Sequence, residues 1–554
     1  MPRPLSTVVL IFAACIAAPA SGQDDTTVTV CPSGCDYTSI QDAIDQAAEF
    51  STILVKAGTY NENEINTAGK QITITGEVAS DGSLLTTISG ANFDVDENSS
   101  VFYFDSGEGS ATVIEKFIIT NGAATGYGGG IQIFNSSPTI RSCTIVDNSA
   151  QYSQDTEAGS NPKGAGIYLS DSDSLIEDCW ITGNTNGWSG YTGSFGGGIY
   201  VDKGAPTIAR CRITDNTCEY TGGSASPQNP CGNCTDMAGV CGQAQGIGIA
   251  TDDTTLTITD CLIDGNTTSG YRGGVLETPY SALCDNETRY ASAGGGLYFK
   301  NSTVTITDTV ISNNWSERYG GIFVSKSAID LLRCDIRGNH DTGIYLDDVA
   351  NDKGLTVSEC LIDSNTNAGI GVREANLVLT DSVIIGNSIG VDAQGETAVS
   401  ILRTIIKDNS YGGGQGGISL SNADDSTSVT LSESHLCGNP VGNAEPLTSS
   451  QVDTGYPSDQ VTIDEGTVVS GSCAATINVE QDGTGDFTTI QEAIDAAPIG
   501  STVQIGAGTW PGGWTTRARA INVKGTADIG NPPLTIIDGG GTETGITVVG
   551  NGGG

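Results

Sequence analysis

The sequence predicts an all-β solenoid, a rod built from short coils of β-strand stacked one on another. One coil-sized unit, residues 128–148 (GGGIQIFNSSPTIRSCTIVDN), recurs ten more times with small changes. The closest repeats, marked by Asn365, Asn387 and Asn409, are 22 residues apart, which is too short for helix pairs and too long for hexapeptide coils. Each unit holds short strands with period-two patterning, joined by Gly, Asn, Asp or Ser turns. A single coil cannot bury its apolar face alone, so the coils must stack, about 4.8 Å apart.

An asparagine closes each unit, and these residues are expected to line up along one edge of the rod. Asparagine tolerates left-handed backbone and its amide can bond the amide of the next rung, which suits a tight corner. The predicted ladder contains Asn148, Asn184, Asn216, Asn266, Asn314, Asn339, Asn365, Asn387 and Asn409, with Asn121 and Asn439 at its ends.

Two further positions repeat with the asparagine. A glycine such as Gly166 or Gly198 leads the first strand of ten units, and we expect a backbone bend there with no room for a Cβ. Five residues before the asparagine stands a small residue, which predicts side chains packed in a stack. We expect the cysteines in this stack to stay mostly reduced, because Cβ atoms about 4.8 Å apart exceed the roughly 3.8 Å of a disulfide. These positions are Cys143, Cys179, Cys211, Cys261, Thr309, Cys334, Cys360, Ser382, Thr404 and Ser434.

These units resemble the right-handed parallel β-helices of the pectin-lyase-like superfamily. The GGGI and IxxN elements are also similar to the GGxI and FxxN repeats of chlamydial polymorphic outer-membrane proteins. The resemblance covers nearly all of the mature chain and implies a right-handed parallel β-helix. It leaves the activity open, because this fold hosts lyases, hydrolases, esterases and adhesins alike.

The chain order predicts an exported protein with two solenoids. An apolar run from Val8 to Ala18, followed by small residues, indicates a signal peptide, since the run is too short for a membrane anchor. No other long apolar segment follows, so we expect a secreted or cell-surface protein without a transmembrane segment. The predicted divisions are a signal peptide (1–23), an N-terminal cap with the first coils (24–110), the β-helix repeats (111–440), a closing segment and linker (441–475), and an apparently incomplete second β-helix (476–554).

A short helix is predicted to cap each solenoid. Thr38, with Gln41 three residues later, suggests a capping box, and the apolar spacing over residues 40–47 indicates an amphipathic helix that covers the end of the core. The pattern returns at Thr488–Ala497, and residues 501–510 match 51–60 at an offset of 450. The module resembles the N-terminal caps of secreted β-helix proteins, including pectin methylesterases.

Charge and cysteines limit the partners and the chemistry. With 65 acidic and 23 basic residues, the formal charge is −42, which makes nucleic acid and anionic membranes poor partners. An exported chain favours disulfides, and the CGNC at 231–234 is assigned to loop disulfides in preference to a zinc or redox site. The disulfide candidates are Cys31 with Cys35, Cys437 with Cys473, and the loop residues Cys218, Cys231, Cys234, Cys241 and Cys284.

The longest insertions all lie between the asparagine and the next glycine step, at 150–163, 185–195, 217–245 and 267–293. One corner of the rod therefore carries the large loops, which in solenoids gather on the binding face. Trp188 lies in one of them. Beside the loops, an outward aromatic stripe is predicted that could stack on sugar rings. The alternative, which we favour slightly, is that these rings only stabilise the strand ladder. The stripe contains Tyr168, Tyr200, Tyr298, Phe323 and Tyr345.

Catalytic motifs are mostly missing. The acidic pairs at 252–253, 347–348 and 424–425 resemble one element of polygalacturonases, but the GHG element is absent. Asn339-His340-Asp341 faintly resembles the DPHD element of alginate epimerases, and a turn is the simpler interpretation. Lys300 or Lys326 beside Asp347 and Asp348 could serve a calcium-assisted elimination.

The sequence therefore predicts a secreted or cell-surface β-helix, non-catalytic, that displays loops and an aromatic stripe for adhesion or polysaccharide binding. The alternative is a carbohydrate-active enzyme, for which a calcium-assisted polysaccharide lyase fits best. Ca²⁺ is the one cofactor that this second interpretation requires.

Overall fold

A computed structural model describes most of the 554 residues. The described ranges are 27–91, 100–151, 161–187, 194–219, 244–269, 292–316, 318–347, 354–410, 416–420, 427–439, 452–453, 461–463, 467–470, 476–485, 487–497, 502–515, 522–526, 535–538 and 546–547. The predicted signal peptide (1–23) lies outside them. Among the described residues, no helix has both the length and the apolar character needed to cross a membrane.

The described chain forms a parallel β-helix with three long sheets, as predicted. Most coils contribute one strand to each sheet in turn. Sheet A has fifteen strands: Thr27–Val30, Thr52–Val55, Thr73–Gly76, Val113–Glu115, Thr139–Arg141, Leu175–Glu177, Thr207–Ala209, Thr255–Thr259, Thr303–Thr307, Ala328–Leu332, Gly354–Ser358, Asn376–Thr380, Ala398–Leu402, Ser428–Ser432 and Val461–Ile463.

Sheets B and C complete each coil. Sheet B has fourteen strands: Gly58–Asn61, Thr86–Ser89, Ile118–Thr120, Thr144–Val146, Trp180–Thr182, Arg212–Thr214, Leu262–Asp264, Val310–Ser312, Asp335–Arg337, Leu361–Asp363, Val383–Ile385, Ile405–Lys407, His435–Cys437 and Val468–Ser470. Sheet C has twelve: Phe102–Phe104, Ile131–Phe134, Ile167–Ser170, Ile199–Asp202, Ile249–Asp252, Leu297–Lys300, Ile322–Ser325, Ile344–Asp347, Ala368–Arg373, Ile389–Gln394, Ile418–Ser419 and Val452–Asp453.

Two small sheets lie at the loop-bearing corner. One pairs Ala123–Thr125, Ser149–Gln151, Thr185–Gly187, Thr217–Glu219 and Thr267–Ser269, and the other pairs Ser194–Phe195, Ala244–Gln245 and Ser292–Ala293.

The core is a column of aliphatic side chains in register. On sheet C, for example, Ile131 pairs with Ile167 and Ile167 with Ile199, and all three are fully buried. One continuous cluster of such residues runs from Val30 to Leu436. Identical side chains in register give every rung the same shape, so stacking needs no repacking from one coil to the next.

The asparagines form a continuous buried ladder. The side-chain amide and the backbone N–H of each asparagine donate to Oδ1 of the asparagine in the next coil, as from Asn184 to Asn216 at 3.0 and 3.1 Å. The amide also donates to a core-strand carbonyl, which for Asn184 is that of Ile145. The same pattern links Asn148, Asn184, Asn216, Asn266, Asn314, Asn339, Asn365, Asn387, Asn409 and Asn439.

Two details of the predicted ladder are wrong. Asn121 is not a rung, because the N–H that bonds Oδ1 of Asn148 belongs to Gly122. The left-handed residue at the corner is not the ladder asparagine but the residue before it, such as Asp147 or Asp215. The asparagine is selected because a short amide can serve two neighbouring rungs and the core strand at once.

Glycine leads the sheet C strands because the ladder leaves no space for a side chain. A Cβ on Gly166 would lie 2.6 Å from the carbonyl oxygen of Gly198 and 3.1 Å from the amide nitrogen of Asn184. These glycines have ordinary φ values, so close packing, and not backbone freedom, explains them.

The small-residue stack is a hydrogen-bonded ladder. Backbone N–H groups donate to the side-chain sulfur or oxygen of the next rung, from Cys334 to Cys360 at 3.3 Å and from Cys360 to Ser382 at 3.0 Å. Each side chain also donates to the carbonyl two residues earlier, as Ser382 does at 2.7 Å. The position therefore requires a small acceptor and donor, which Cys, Ser and Thr all provide. The six cysteines of the stack are buried and free, as expected.

The other cysteines divide into three groups. Cys31 and Cys35 form the predicted disulfide, and Cys437 is also disulfide-bonded, while Cys473 lies outside the described residues. The prediction for Cys218 is wrong, because it is a free thiol buried within the small five-stranded sheet and not a loop residue. Burial raises its pKa to about 11. The other loop candidates, Cys231, Cys234, Cys241 and Cys284, lie outside the described residues.

The first helix, α1 (Ile40–Gln46), covers the end of the rod, but its cap differs from the prediction. Ser39, not Thr38, is the N-cap, and its hydroxyl accepts the N–H of Asp42. The carboxylate of Glu62, more than twenty residues later, accepts the N–H groups of Ile40 and Gln41. A contact of that sequence separation is invisible to a local capping rule.

The stretch 441–475, expected as a closing segment and linker, adds one short strand to each of sheets A, B and C. A second capping module follows it, with its own core cluster. It contains the helix α2 (Ile490–Ala496) and the strands Thr476–Val479, Thr502–Ile505, Gly508–Pro511, Trp514–Thr515, Asn522–Gly525, Thr535–Asp538 and Ile546–Thr547.

Candidate functional site

The outer face of sheet C carries the aromatic residues that the sequence singled out. In each strand the residues before and after the aromatic position point into the core, as Ile167 and Leu169 do beside Tyr168. Strand register places Tyr168 next to Tyr200. Further along the sheet it places Tyr298 next to Phe323, and Phe323 next to Tyr345. Ala250 lies between these two groups. We call these residues the aromatic column.

The expectation that these rings are exposed is wrong. The five side chains are only 3–7% exposed, and they stack on one another with nearly parallel planes. Ring centroids lie 5.9 Å apart for Tyr168 and Tyr200, and 6.0 Å apart for Phe323 and Tyr345. This is the geometry of a stabilising strand ladder. A direct contact with sugar rings stays a prediction for them, and Trp188 lies outside the described residues.

Chain segments that return from the loops cover the aromatic column. Tyr127 lies 4.6 Å from Tyr168, and Tyr319 lies 3.9 Å from Tyr345, measured between ring centroids. Over Ala250 the covering segment is Gly246, where a Cβ would lie 2.7 Å from that of Ala250. Burial thus depends on residues that the sequence places in a different part of each coil.

A second column on the same face, two residues after the aromatic one, is charged and partly exposed. Lys300 Nζ lies 2.9 Å from Asp252, and Arg373 forms a two-point ion pair with Asp347 at 2.9 and 3.0 Å. The side chains of Lys300 and Arg373 are 45% and 39% exposed. With Asp202 at one end, these residues form what we call the charged column. Asp252 and Asp347 each lie in pairs noted in the sequence, and both are held by a cation.

Lys163 joins the two columns, and it was not among the site residues predicted from the sequence. The backbone of Lys163 forms a parallel β-bridge with Tyr127 on one side and with Phe195 on the other. Its ammonium lies 4.5 Å from the ring centroid of Tyr200. Burial lowers the pKa of Lys163, although the negative charges of Asp202 and Asp252 partly oppose this. The sequence signal for Lys163 was its position, at the end of an insertion and immediately before a glycine step.

The phenols of the aromatic column remain protonated at neutral pH. Burial raises the pKa of Tyr168, Tyr200, Tyr298 and Tyr345, and neighbouring carboxylates raise it further, Asp252 most among them at Tyr200 and Tyr298. The face therefore combines rigid neutral rings, paired charges and a half-buried amine.

The remaining candidates have structural roles. His340 Nδ1–H donates to the carbonyl of Ser316 at 2.8 Å, and Asp341 accepts from Asn367 and from the N–H of Tyr319. The turn interpretation of this element fits that geometry. Lys326 is an exposed left-handed turn residue. Within the described ranges, no three His, Cys, Asp or Glu residues lie close enough to hold a metal ion.

This fold defines a class, the parallel β-helix proteins, and a sequence model of the family described as "Right handed beta helix region" matches residues 59–272, 245–402 and 295–450. The matches together span most of the chain, and the protein belongs to this family. It is a right-handed parallel β-helix.

Solved structures with a similar course of the chain include three proteins that differ in activity. The periplasmic alginate epimerase AlgG is 12% identical with a TM-score of 0.36, over 81% of this chain and 84% of that one. Pectin methylesterase from carrot is 14% identical with a TM-score of 0.28, over 57% and 84%. Tailspike protein 3 of bacteriophage CBA120 is 12% identical with a TM-score of 0.36, over 81% and 61%. No curated protein sequence matches significantly.

Proposed function

We propose that this protein is a secreted or cell-surface β-helix that binds a polysaccharide along the outer face of sheet C without modifying it. The observation that supports this is the charged column, partly exposed and fixed over a rigid aromatic column. Hydroxyl-rich ligands need donors and acceptors at fixed positions, and ion pairing holds these groups in place before the ligand arrives.

The regular spacing of the coils suits a polymeric ligand. Equivalent positions recur about every 4.8 Å along the column, so successive sugars meet polar groups at a fixed interval. The formal charge of −42 disfavours polyanions, and a neutral or cationic glycan fits better.

Two arginines with matched ion pairs test the proposal. Arg373→Ala is expected to weaken glycan binding roughly tenfold, because loss of a hydrogen bond from a charged group costs about 1.5–3 kcal/mol. Arg403→Ala is the control, since Arg403 forms an equivalent two-point pair with Asp381 at 2.8 and 2.7 Å away from sheet C. Glycan-array titration would measure both. Equal binding by the two variants and the parent protein would refute a site on the charged column.

A second function, polysaccharide lyase, is favoured by one observation, the position of the half-buried Lys163, whose ammonium lies 4.5 Å from the ring centroid of Tyr200. Burial lowers the pKa of this amine, which favours the neutral form, and that form can accept the proton removed next to a uronate carboxylate in the first step of an elimination. Incubation with acidic polysaccharides, with and without calcium, would produce ultraviolet absorbance from the unsaturated product. Lys163→Ala should abolish that signal, and an absence of product from the parent protein would exclude this function.

A further inference from the structure

The cysteines of the small-residue stack are neighbours of one another and not scattered along it. The stack lies at the corner between sheets A and B, just before each sheet B strand, and all six of its cysteines are buried and free. Four occupy consecutive coils, and a pair follows after a single threonine, Thr309. In order along the rod they are Cys143, Cys179, Cys211, Cys261, Cys334 and Cys360.

Hydrogen bonding does not explain why these positions hold sulfur. The hydroxyl of Ser382 accepts the N–H of Cys360 at 3.0 Å and donates to the carbonyl two residues earlier at 2.7 Å. The thiol of Cys360 takes the same two roles at 3.3 and 3.1 Å, so a hydroxyl serves the stack with shorter bonds. A cysteine adds what a hydroxyl lacks, a soft and polarizable sulfur that binds thiophilic metals.

The four consecutive sulfur atoms have the same surroundings, so they repeat at the spacing of the coils. Each lies 3.2–3.3 Å from the carbonyl oxygen two residues earlier and 3.5–3.8 Å from a carbonyl oxygen of the sheet A strand in the preceding coil. Equivalent atoms of adjacent coils are about 4.8 Å apart, whereas the sulfur atoms of a disulfide are about 2.05 Å apart. Two metal–thiolate bonds of about 2.3 Å in a line span about 4.6 Å, which matches the coil spacing.

Two sulfur atoms on opposite sides of one ion suit a two-coordinate cation. Structural Zn²⁺ takes four ligands, and within the described ranges not even three His, Cys, Asp or Glu residues are grouped for a metal. Cu(I) is a soft cation that thiolates bind, and it accepts two of them in a line. Binding releases both thiol protons to solvent and leaves one negative charge on the S–Cu–S unit. Backbone N–H groups that donate to sulfur, as from Cys211 to Cys261 at 3.4 Å, stabilise that charge.

We propose that adjacent cysteines of this stack bind Cu(I), with one ion between two thiolates. The three pairs are Cys143 with Cys179, Cys211 with Cys261, and Cys334 with Cys360. Because these residues are only 1–4% exposed, the ion enters while the coils form or when one of them opens locally. The site lies on a different corner from the loops and does not rest on the proposed function of sheet C.

Two double variants that each remove two thiols test the pairing. Serine already occupies this position at Ser382, so both variants keep the hydrogen bonds of the stack. Cys143→Ser with Cys179→Ser leaves the pair of Cys211 and Cys261 intact and should lose one copper ion per chain. Cys179→Ser with Cys211→Ser leaves no adjacent pair among the four and should lose two.

Copper retained per chain is the measurement. The full mature chain is reduced and incubated without oxygen with Cu(I), in urea too dilute to unfold it but sufficient to promote local opening. Unbound copper is removed with a Cu(I) chelator, and the retained copper is counted by atomic absorption. Cysteines outside the stack are the same in both double variants and cancel in the difference. Equal copper in the two variants, or no copper in the parent protein, would overturn the proposal.

A lone buried thiol provides the control. Cys218 is buried and free, but its neighbours in register are Asn186 and Thr268. Cys218→Ser should therefore retain as much copper as the parent protein. Loss of an ion from this variant would show that copper does not require adjacent thiols, which contradicts the proposal.

A gain of copper separates the proposal from any loss caused by misfolding. Ser382 and Thr404 follow Cys360 in the next two coils. Ser382→Cys with Thr404→Cys creates a further adjacent pair and should bind one additional ion, whereas Thr404→Cys alone adds a thiol without a thiol neighbour and should bind none. The same copper content in both would refute binding by adjacent pairs.

Discussion

The two capping modules have similar sequences, but the first turn of the helix is hydrogen-bonded differently in each. In both, an aromatic side chain donates to the equivalent carbonyl, from Tyr60 to Lys56 and from Trp510 to Gly506, each at 3.0 Å. In the first module the first turn of the helix is closed by Glu62, while in the second a glycine stands at that position. The comparison teaches that the repeated sequence sets the frame of a module, whereas one side chain, Glu62, decides whether a residue distant in sequence closes the first turn of its helix.

The largest loss of stability is expected from removing the buried aromatic side chain that both modules have at equivalent positions, Tyr60 and Trp510. Trp510→Ala removes a fully buried ring from the second core and should cost about 3–5 kcal/mol there. Hydrogen exchange of residues 502–505 should then accelerate strongly while residues 52–55 keep their protection. Acceleration in both segments would show that the two cores unfold as one unit.

The second largest effect is expected from acid, which should destabilise the first module more than the second. Burial alone would raise the pKa of Glu108, but donors including the Gly69 N–H and the Ser136 hydroxyl more than offset this and hold it below its ordinary value. A depressed carboxyl pKa gives stability that is full above the unfolded value near 4.3 and is lost as pH falls through the folded value. Exchange in residues 65–76 should therefore rise on acidification, and Glu108→Gln should remove that pH dependence. In the second module, Glu480, Asp482 and Glu492 lie at half-buried or exposed positions.

Glu62→Ala should make the first module resemble the second. It leaves the N–H groups of Ile40 and Gln41 without their acceptor, which should cost about 1–3 kcal/mol. The melting temperature of the first rod and exchange at residues 40–42 would report the loss. Glu64→Ala, a nearby exposed glutamate on the same turn, is the control and should change neither.

The smallest effect concerns the N-caps themselves. Thr489→Ala should cost about 1 kcal/mol, since its hydroxyl is the acceptor for the Glu492 N–H. Ser39→Ala should cost less, because Glu62 still covers the first turn. Urea titrations followed by exchange in each helix would measure both costs. A larger loss from Ser39→Ala would contradict the role given to Glu62.

Most of the rod could be predicted because its rules are local to one coil and then repeated. The Asn184 and Gly166 positions reveal themselves by period alone, since each rung meets a copy of itself. The aromatic column was found in the correct register but with the wrong exposure, because Tyr127 and Tyr319 cover it from other parts of the coil. Lys163 and Glu62 were missed for the same reason, as each acts on residues far from it in sequence.

The sequence by itself determined the solenoid, its three-sheet coil, its polar ladders and the duplication of its cap, since a residue that recurs at a fixed interval must stack on its own image. Only the tertiary structure decided which outward rings are buried, which charges pair, and which distant carboxylate closes the first turn of the helix α1. Those outcomes depend on distances between segments of different coils, and hydrogen-bond and packing energies change over less than an ångström.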